Sequence, residues 1–192
     1  MEERIFKLDD KDREILTLLS EDPEIPQEQI AEIINLSQPS VAMRIRKLKE
    51  MGVFRKICGV NPLKLGLNIA KVDVSTTDSA KILSLFQNCP YFLNGYLVSG
   101  KSNVLLFLIG EDIPTLESIV ECHLGPLKEV KEVEFNIIIS AAKELNLPYQ
   151  MKVKIVDRPF CGLEINCADC KNHQEKRCLG CPMISEYKGK IW

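Results

Sequence analysis

SQPSVAMRIRKLKEM, residues 37–51, is the stretch whose reading decides the fold of this chain. Ser37 can turn its hydroxyl onto the free amides of a first helical turn. Pro39 falls where a missing amide proton does little harm, because those early N–H groups have no helical partner. Val41, Ile45 and Leu48 recur at helical spacing and share one face. At about 100° per residue, Pro39, Met43, Arg46 and Lys47 fall near the opposite face, with Arg44 on its flank. An apolar seam under a basic outer side suits a rod laid against phosphates. A merely solvated amphipathic helix would show the same pattern, so the flanking sequence has to decide.

Upstream, residues 8–19 read as a helix capped by Asp9 or Asp10, with Ile15, Leu16, Leu18 and Leu19 inward. Pro23 and Pro26 forbid its continuation, and Pro26 is placed to open a second helix over residues 27–34. Only Asn35 and Leu36 then precede Ser37, and asparagine tolerates the left-handed backbone that a tight corner needs. Two helices joined by so short a turn, the second one basic, fit a helix-turn-helix. Gly52 is a plausible left-handed terminator, and VFRKICGV, residues 53–60, is expected as a β-ribbon or wing.

Overall charge points the other way: a net of −2 argues mildly against a nucleic-acid partner. The distribution reverses that. Residues 1–36 carry eleven acids against four bases, whereas residues 37–60 carry six bases against Glu50 alone. Local charge governs affinity, because each neutralised phosphate releases condensed counterions.

Here the sequence resembles a family. LDDKDREILTLL, QIAEIINLSQPSVAMRIRKLKEMGVFR and VNPLKLG, within residues 8–68, are similar to the Lrp/AsnC regulators, with asparagine at position 35 where that family usually has glycine. The resemblance implies a homodimer or larger assembly on double-stranded operator DNA. It also implies a second, βαββαβ domain that pairs chains and holds a small effector, often an amino acid. The loop after that domain's second strand typically carries Gly-Asp; here it is Gly100-Lys101-Ser102-Asn103, so Gly100, Ser102 and Asn103 are the candidate effector residues, or the loop is only a hairpin turn.

The residues agree with that order. Strands are expected at 69–75, 91–98, 104–109 and 132–140, and helices at 79–86 and 116–124, a ferredoxin-like sandwich. The fold class is thus α+β: a winged helix-turn-helix (1–60), a linker (61–68), the βαββαβ domain (69–147) and a cysteine-rich tail (148–192) with one further short strand at 152–156. Cys58, Cys89 and Cys122 read as small buried hydrophobes, and His123 beside Cys122 is a possible ligand pair that no second pair accompanies.

The tail contains C-x2-C-x7-C-x2-C through Cys167, Cys170, Cys178 and Cys181, with Cys161 and His173 as spare ligands. Two such knuckles can set four thiolates at the corners of a tetrahedron. Zinc is the expected metal, an iron–sulfur cluster the alternative suggested by Cys181-Pro182, and a sensed soft metal such as copper a third. FCGLEI at the start of this run resembles the metal-sensing cysteine domains that some archaeal members of the family carry. The longest apolar run, residues 104–109, is too short to cross a bilayer, and the acidic N-terminus lacks a signal core, so a cytoplasmic protein with reduced thiols is expected.

The reading is a DNA-binding transcriptional regulator rather than an enzyme. Gln38, Ser40, Met43, Arg44 and Lys47 are the candidate groove contacts, and Arg46, Arg55 and Lys56 the candidate phosphate contacts. The rival is a sirohaem decarboxylase-like enzyme on the same architecture, for which the middle domain offers only His123, Tyr91 and Tyr96.

Overall fold

A computed structural model describes residues 7–159, 161 and 167–192. The chain divides into two compact units, one ending at Cys58 and the other beginning at Gly59.

The first unit is three helices: α1 (Asp10–Glu21), α2 (Gln27–Ile33) and α3 (Gln38–Glu50). Asp9 accepts the Asp12 amide at 2.8 Å while the Asp12 carboxylate accepts the Asp9 amide at 3.3 Å, a reciprocal cap that fixes where α1 begins. Pro26 opens α2, and Asn35 turns the corner at φ 54°. Ser37 caps α3 through the Ser40 amide, and Gly52 ends it at φ 69°. Between the helices lie Ile15, Leu19, Ile30, Ala31, Ile34, Val41 and Ile45. Their burial, worth about 1.5–3 kcal/mol for each larger side chain, holds together a unit whose helices are too short to persist alone.

The expected ribbon over residues 53–60 is not formed. Residues 53–59 run without regular structure, and Val60 makes one isolated bridge to Leu147 in the second unit. A lone segment has no neighbouring strand to take its N–H and C=O groups, so β-rich composition alone does not make it a strand.

The second unit contains β1 (Asn68–Thr76), α4 (Ser79–Phe86), β2 (Phe92–Leu97), β3 (Val104–Gly110), α5 (Ile113–Leu124) and β4 (Val130–Ile137). The sheet is antiparallel in the order β2-β3-β1-β4, with Val72 opposite both Leu106 and Phe135. Alternation along β1 sends Ala70, Val72 and Val74 into the layer under α4 and α5, where they meet Ile82, Phe86, Leu116 and Val120. On the other face Ile69, Phe107 and Ile109 are partly covered by Ile138, Leu145 and Tyr149. The linker holds a single turn of 3-10 helix, Leu63–Leu65. Residues 152–156 form no strand; the Val156 amide donates to the Met183 carbonyl at 2.7 Å.

The hairpin loop between β2 and β3 is tied to the end of β1. The Asn103 side chain accepts the Thr76 amide and donates to the Thr76 carbonyl, both at 2.9 Å, and its own amide donates to Val74 at 3.0 Å. Asn103→Ala leaves two backbone groups of Thr76 without these partners and is expected to destabilise the protein by about 1–3 kcal/mol. Urea unfolding followed by circular dichroism measures this; an unchanged midpoint would remove the latch from the account.

Candidate DNA-binding face and cysteine-lined cavity

The outer face of α3 presents Gln38, Met43, Arg46 and Lys47 to solvent, and Met43 is 63% exposed. Core packing does not explain an exposed methionine one turn before two exposed bases, whereas a groove-facing surface would. Ser40 is half-buried, its hydroxyl 2.8 Å from that of Ser37. Arg55 and Lys56 are exposed beyond α3, and the Lys56 ammonium lies 2.5 Å from Glu24.

Arg44 departs from its expected place. Its Nη1 lies 2.6 Å from Asp9 and 2.7 Å from Asp12, so the guanidinium faces the start of α1 instead of the outer side of α3. Asp12 is nearly buried, and a carboxylate there needs a cation close by. Arg44 is thus a clamp between α3 and the capping box of α1. The loop from Gly100 to Asn103 forms the hairpin turn that was one of its two expectations: the Asn103 side chain is tied to Thr76, Lys101 pairs with Glu132 at 2.7 Å, and Gly100 supplies a left-handed bend at φ 130°.

The tail does not stand apart as a mini-domain. It packs on the second unit through a stripe of α5 at positions 115, 118 and 122, an i, i+3, i+7 spacing that shares one face. Thr115 accepts the Leu179 amide at 3.0 Å, and Ser118 donates to the Arg177 carbonyl at 3.3 Å. Both are essentially fully buried, at 0% and 1% exposure. Tyr91 donates to the Gly180 carbonyl at 2.5 Å. Trp192 closes the end of the chain against the rings of Tyr91, Tyr149 and Tyr187, with centroids 5.0, 5.7 and 6.0 Å away. Glu111 accepts the Lys190 amide at 2.8 Å.

Between tail and helices lies a cavity of about 90 Å³ lined by seven of the eight cysteines, all but Cys58. All five expected tail residues, Cys161, Cys167, Cys170, Cys178 and Cys181, reach it. So do Cys89, just after α4, and Cys122 and His123 on α5, which the sequence had placed apart from the tail. The signal for them was the small polar stripe Thr115–Ser118–Cys122, which core packing alone does not call for. His173 is buried beneath the loop, its Nδ1 2.9 Å from the Cys178 carbonyl, and Gly180 passes so close to its ring that a Cβ there would sit 3.2 Å from Cε1.

Burial pushes the thiols up: Cys89 to about 12, Cys178 and Cys181 to about 11, with Cys122 and Cys167 raised as well. Backbone amides pull the other way, those of Tyr91 on Cys89, Gly180 on Cys178 and Met183 on Cys181. Burial also lowers the His123 pKa, which keeps the ring neutral. Among the described residues, no three His, Cys, Asp or Glu groups are gathered closely enough to hold a single metal ion.

The Arg44 clamp has an acid-side consequence. The Asp12 amide and then the Arg44 guanidinium hold the Asp9 carboxyl below its usual 3.8. A depressed folded-state pKa adds stability above the unfolded value, and that stability is lost as pH falls below about 4. Arg44→Ala is expected to destabilise the first unit by about 1–3 kcal/mol at neutral pH, because Asp12 loses its cation, and to flatten the loss of stability below pH 4. Thermal unfolding of both proteins across pH 3–7 checks this; parallel pH profiles would show that the pair does not matter.

With this geometry established, similarity to known proteins can be stated. Residues 8–55 match the family described as winged helix-turn-helix DNA-binding. An uncharacterised HTH-type transcriptional regulator of Pyrococcus horikoshii, PH0061, is 28% identical over 146 residues, spanning 73% of this chain and 98% of that protein. Its crystal structure superimposes with a TM-score of 0.64 over 73% of this chain and 99% of that one, at 26% identity. The HTH-type transcriptional regulator LrpA of Pyrococcus abyssi is 27% identical over 140 residues, covering 71% of this chain and 99% of that protein. E. coli AsnC, at 16% identity, shares the fold with a TM-score of 0.63 over 74% of this chain. These relatives are matched almost end to end, leaving over a quarter of this chain outside, about the size of the cysteine-bearing tail. They are named as regulators and not as enzymes. A basic-faced α3 in a helix-turn-helix and an antiparallel βαββαβ sheet are thus features of a chain similar, over nearly three quarters of its length, to proteins named as HTH-type transcriptional regulators.

Proposed function

We propose that this chain is a transcriptional regulator of the Lrp/AsnC type that reads specific operator DNA through α3, that it does so as a homodimer or larger assembly in the cytoplasm, and that a metal or redox state of the cysteine tail sets its activity. The observation that carries DNA reading is the outer face of α3, where Met43 and Lys47 lie exposed beside Gln38 at the helix start. In this reading Gln38, Ser40, Met43 and Lys47 face base edges, while Arg46, Arg55 and Lys56 hold phosphates and fix register without reading sequence. Pairing of chains would set two α3 helices about 34–36 Å apart, one turn of the duplex. The part-apolar open face of the sheet, with Phe107 half-buried and Tyr96 exposed, suits such pairing.

For the signal, the tail is favoured over the hairpin loop. Asn103 is already committed to Thr76, whereas the tail brings a concentrated set of soft ligands into a dry cavity. Thiols that burial keeps protonated lose their protons when a cation supplies the opposing charge, so binding would release protons and tighten the tail on α5.

Fluorescence anisotropy with DNA selected from a genomic library, measured across salt concentrations, tests the DNA reading. Arg46→Ala and Arg55→Ala are each expected to weaken binding to all sequences alike and reduce the salt slope by about one. Gln38→Ala is expected to cost about 1–3 kcal/mol on the selected site and little on random DNA. Equal losses on both DNAs would remove Gln38 from base reading. For the tail, protein with and without bound metal should differ in operator affinity; identical curves would leave the tail without a regulatory role.

A further inference from the structure

The proposal of a metal-dependent tail leaves open what the cavity holds and which residues hold it. A self-contained zinc knuckle would gather Cys167, Cys170, Cys178 and Cys181 around one ion, with sulfurs about 3.8 Å apart for zinc–sulfur bonds of about 2.3 Å. The structure has a different arrangement. No three ligating groups among the described residues are close enough for one ion, yet seven cysteines line one pocket. One water-sized position needs roughly 10–15 Å³, so a cavity of about 90 Å³ has room for roughly six to nine such positions. That is far more than a single ion needs and comparable with the eight atoms of a [4Fe–4S] core.

The second unit supplies groups built for the same centre. Cys122 of α5 lies within reach of Cys170, and its sulfur accepts from Asn172 at 3.7 Å. Cys89 lines the same space as Cys181 and Cys161, and the backbone amides of Tyr91 and Phe92 favour its thiolate form. Gly180 donates its amide to Cys178 at 3.4 Å. Amide donors on sulfur disperse the negative charge of a ligating thiolate and are one of the protein's levers on a cluster's potential. His123 adds an independent sign of an intended occupant. Its Nδ1 lies 2.7 Å from the Ile119 carbonyl, which places the ring proton there, and its buried Nε2 has no partner among the described residues while the ring lines the cavity. An unmet buried acceptor costs about 1–3 kcal/mol unless something in the cavity meets it.

We infer that the cavity is the site of an iron–sulfur cluster ligated jointly by tail cysteines and by Cys122 and Cys89 of the βαββαβ domain, with His123 beside it. Each ligating thiol gives up its proton to solvent as its iron–sulfur bond forms, and iron(II) and iron(III) supplied in equal parts with sulfide balance a [4Fe–4S]2+ core without a further oxidant. The inference rests on the metal-dependent reading of the tail and makes it specific. A centre bridging α5, the end of α4 and the tail would add shared ligands to the contacts that already dock the tail.

The test uses the full chain purified without oxygen, then loaded with iron and sulfide, with zinc alone and with copper(I) alone in parallel. Iron, acid-labile sulfide and visible absorption are measured for the parent chain, Cys58→Ser, Cys89→Ser, Cys122→Ser and Cys178→Ser. The expected result is about four irons and four sulfides per chain in the parent and in Cys58→Ser. Cys178→Ser and at least one of the two domain variants should lose half or more of the iron and of the visible band. Far-UV circular dichroism of the unloaded variants checks that each still folds, and Cys89→Ala and Cys122→Ala replace any that do not. One zinc per chain, lost in Cys178→Ser but kept in both domain variants, would overturn the joint cluster while leaving a metal-binding tail intact. Copper taken up in place of iron would overturn the iron–sulfur assignment. No metal bound in any arm would overturn both this inference and the metal-dependent reading on which it rests.

Discussion

A stripe of three small residues on α5 constrains the last quarter of the chain. Thr115, Ser118 and Cys122 lie on the same helix as Leu116, Val120 and Leu124, which face the sheet. A helix that buries one side on a sheet normally leaves the other wet. Here that other side is dry, because the tail supplies backbone partners for Thr115 and Ser118 and covers them. Buried hydroxyls without those partners would each cost about 1–3 kcal/mol, so the stripe favours the docked tail over an exposed helix. Tyr91 and the Trp192 cluster then hold the tail at its middle and at its end.

The first unit is organised by a comparable economy of charge. Its acidic α1 and basic α3 meet where Arg44 satisfies Asp9 and Asp12 together. One basic residue is thereby withdrawn from the outer face, leaving Arg46 and Lys47 on it. The division is physically reasonable. A nearly buried carboxylate such as Asp12 demands a fixed cation, whereas phosphates are served well by mobile exposed ones.

The two halves of the functional reading therefore rest on different kinds of order. DNA reading depends on an exposed surface whose residues are legible one by one. The proposed signal depends on a pocket whose walls come from separate parts of the chain: residues 88–91 after α4, one face of α5, Pro159 and Cys161, the loop around α6 (Lys171–Gln174) and the segment from Cys178 to Ile184. Loading such a site draws those parts together through shared ligands, which is how a small change at sulfur could reach a whole domain.

The sequence by itself determined the local architecture. The three N-terminal helices, their Asp9, Ser37 and Asn35 punctuation and the βαββαβ order all follow from caps, corners and 3.6- or 2-residue periodicity, signals contained within a few neighbouring residues. Where a feature needed a partner distant in sequence, only the tertiary structure decided it. Residues 53–60 lacked a second strand and stayed irregular, Arg44 found acids 32 and 35 positions away, and Asn103 was taken by Thr76. The cysteine pattern of the tail was legible as spacing. That Cys89, Cys122 and His123 share its cavity was not, because their lone positions carry no period and only the packing of tail on α5 brings them within reach.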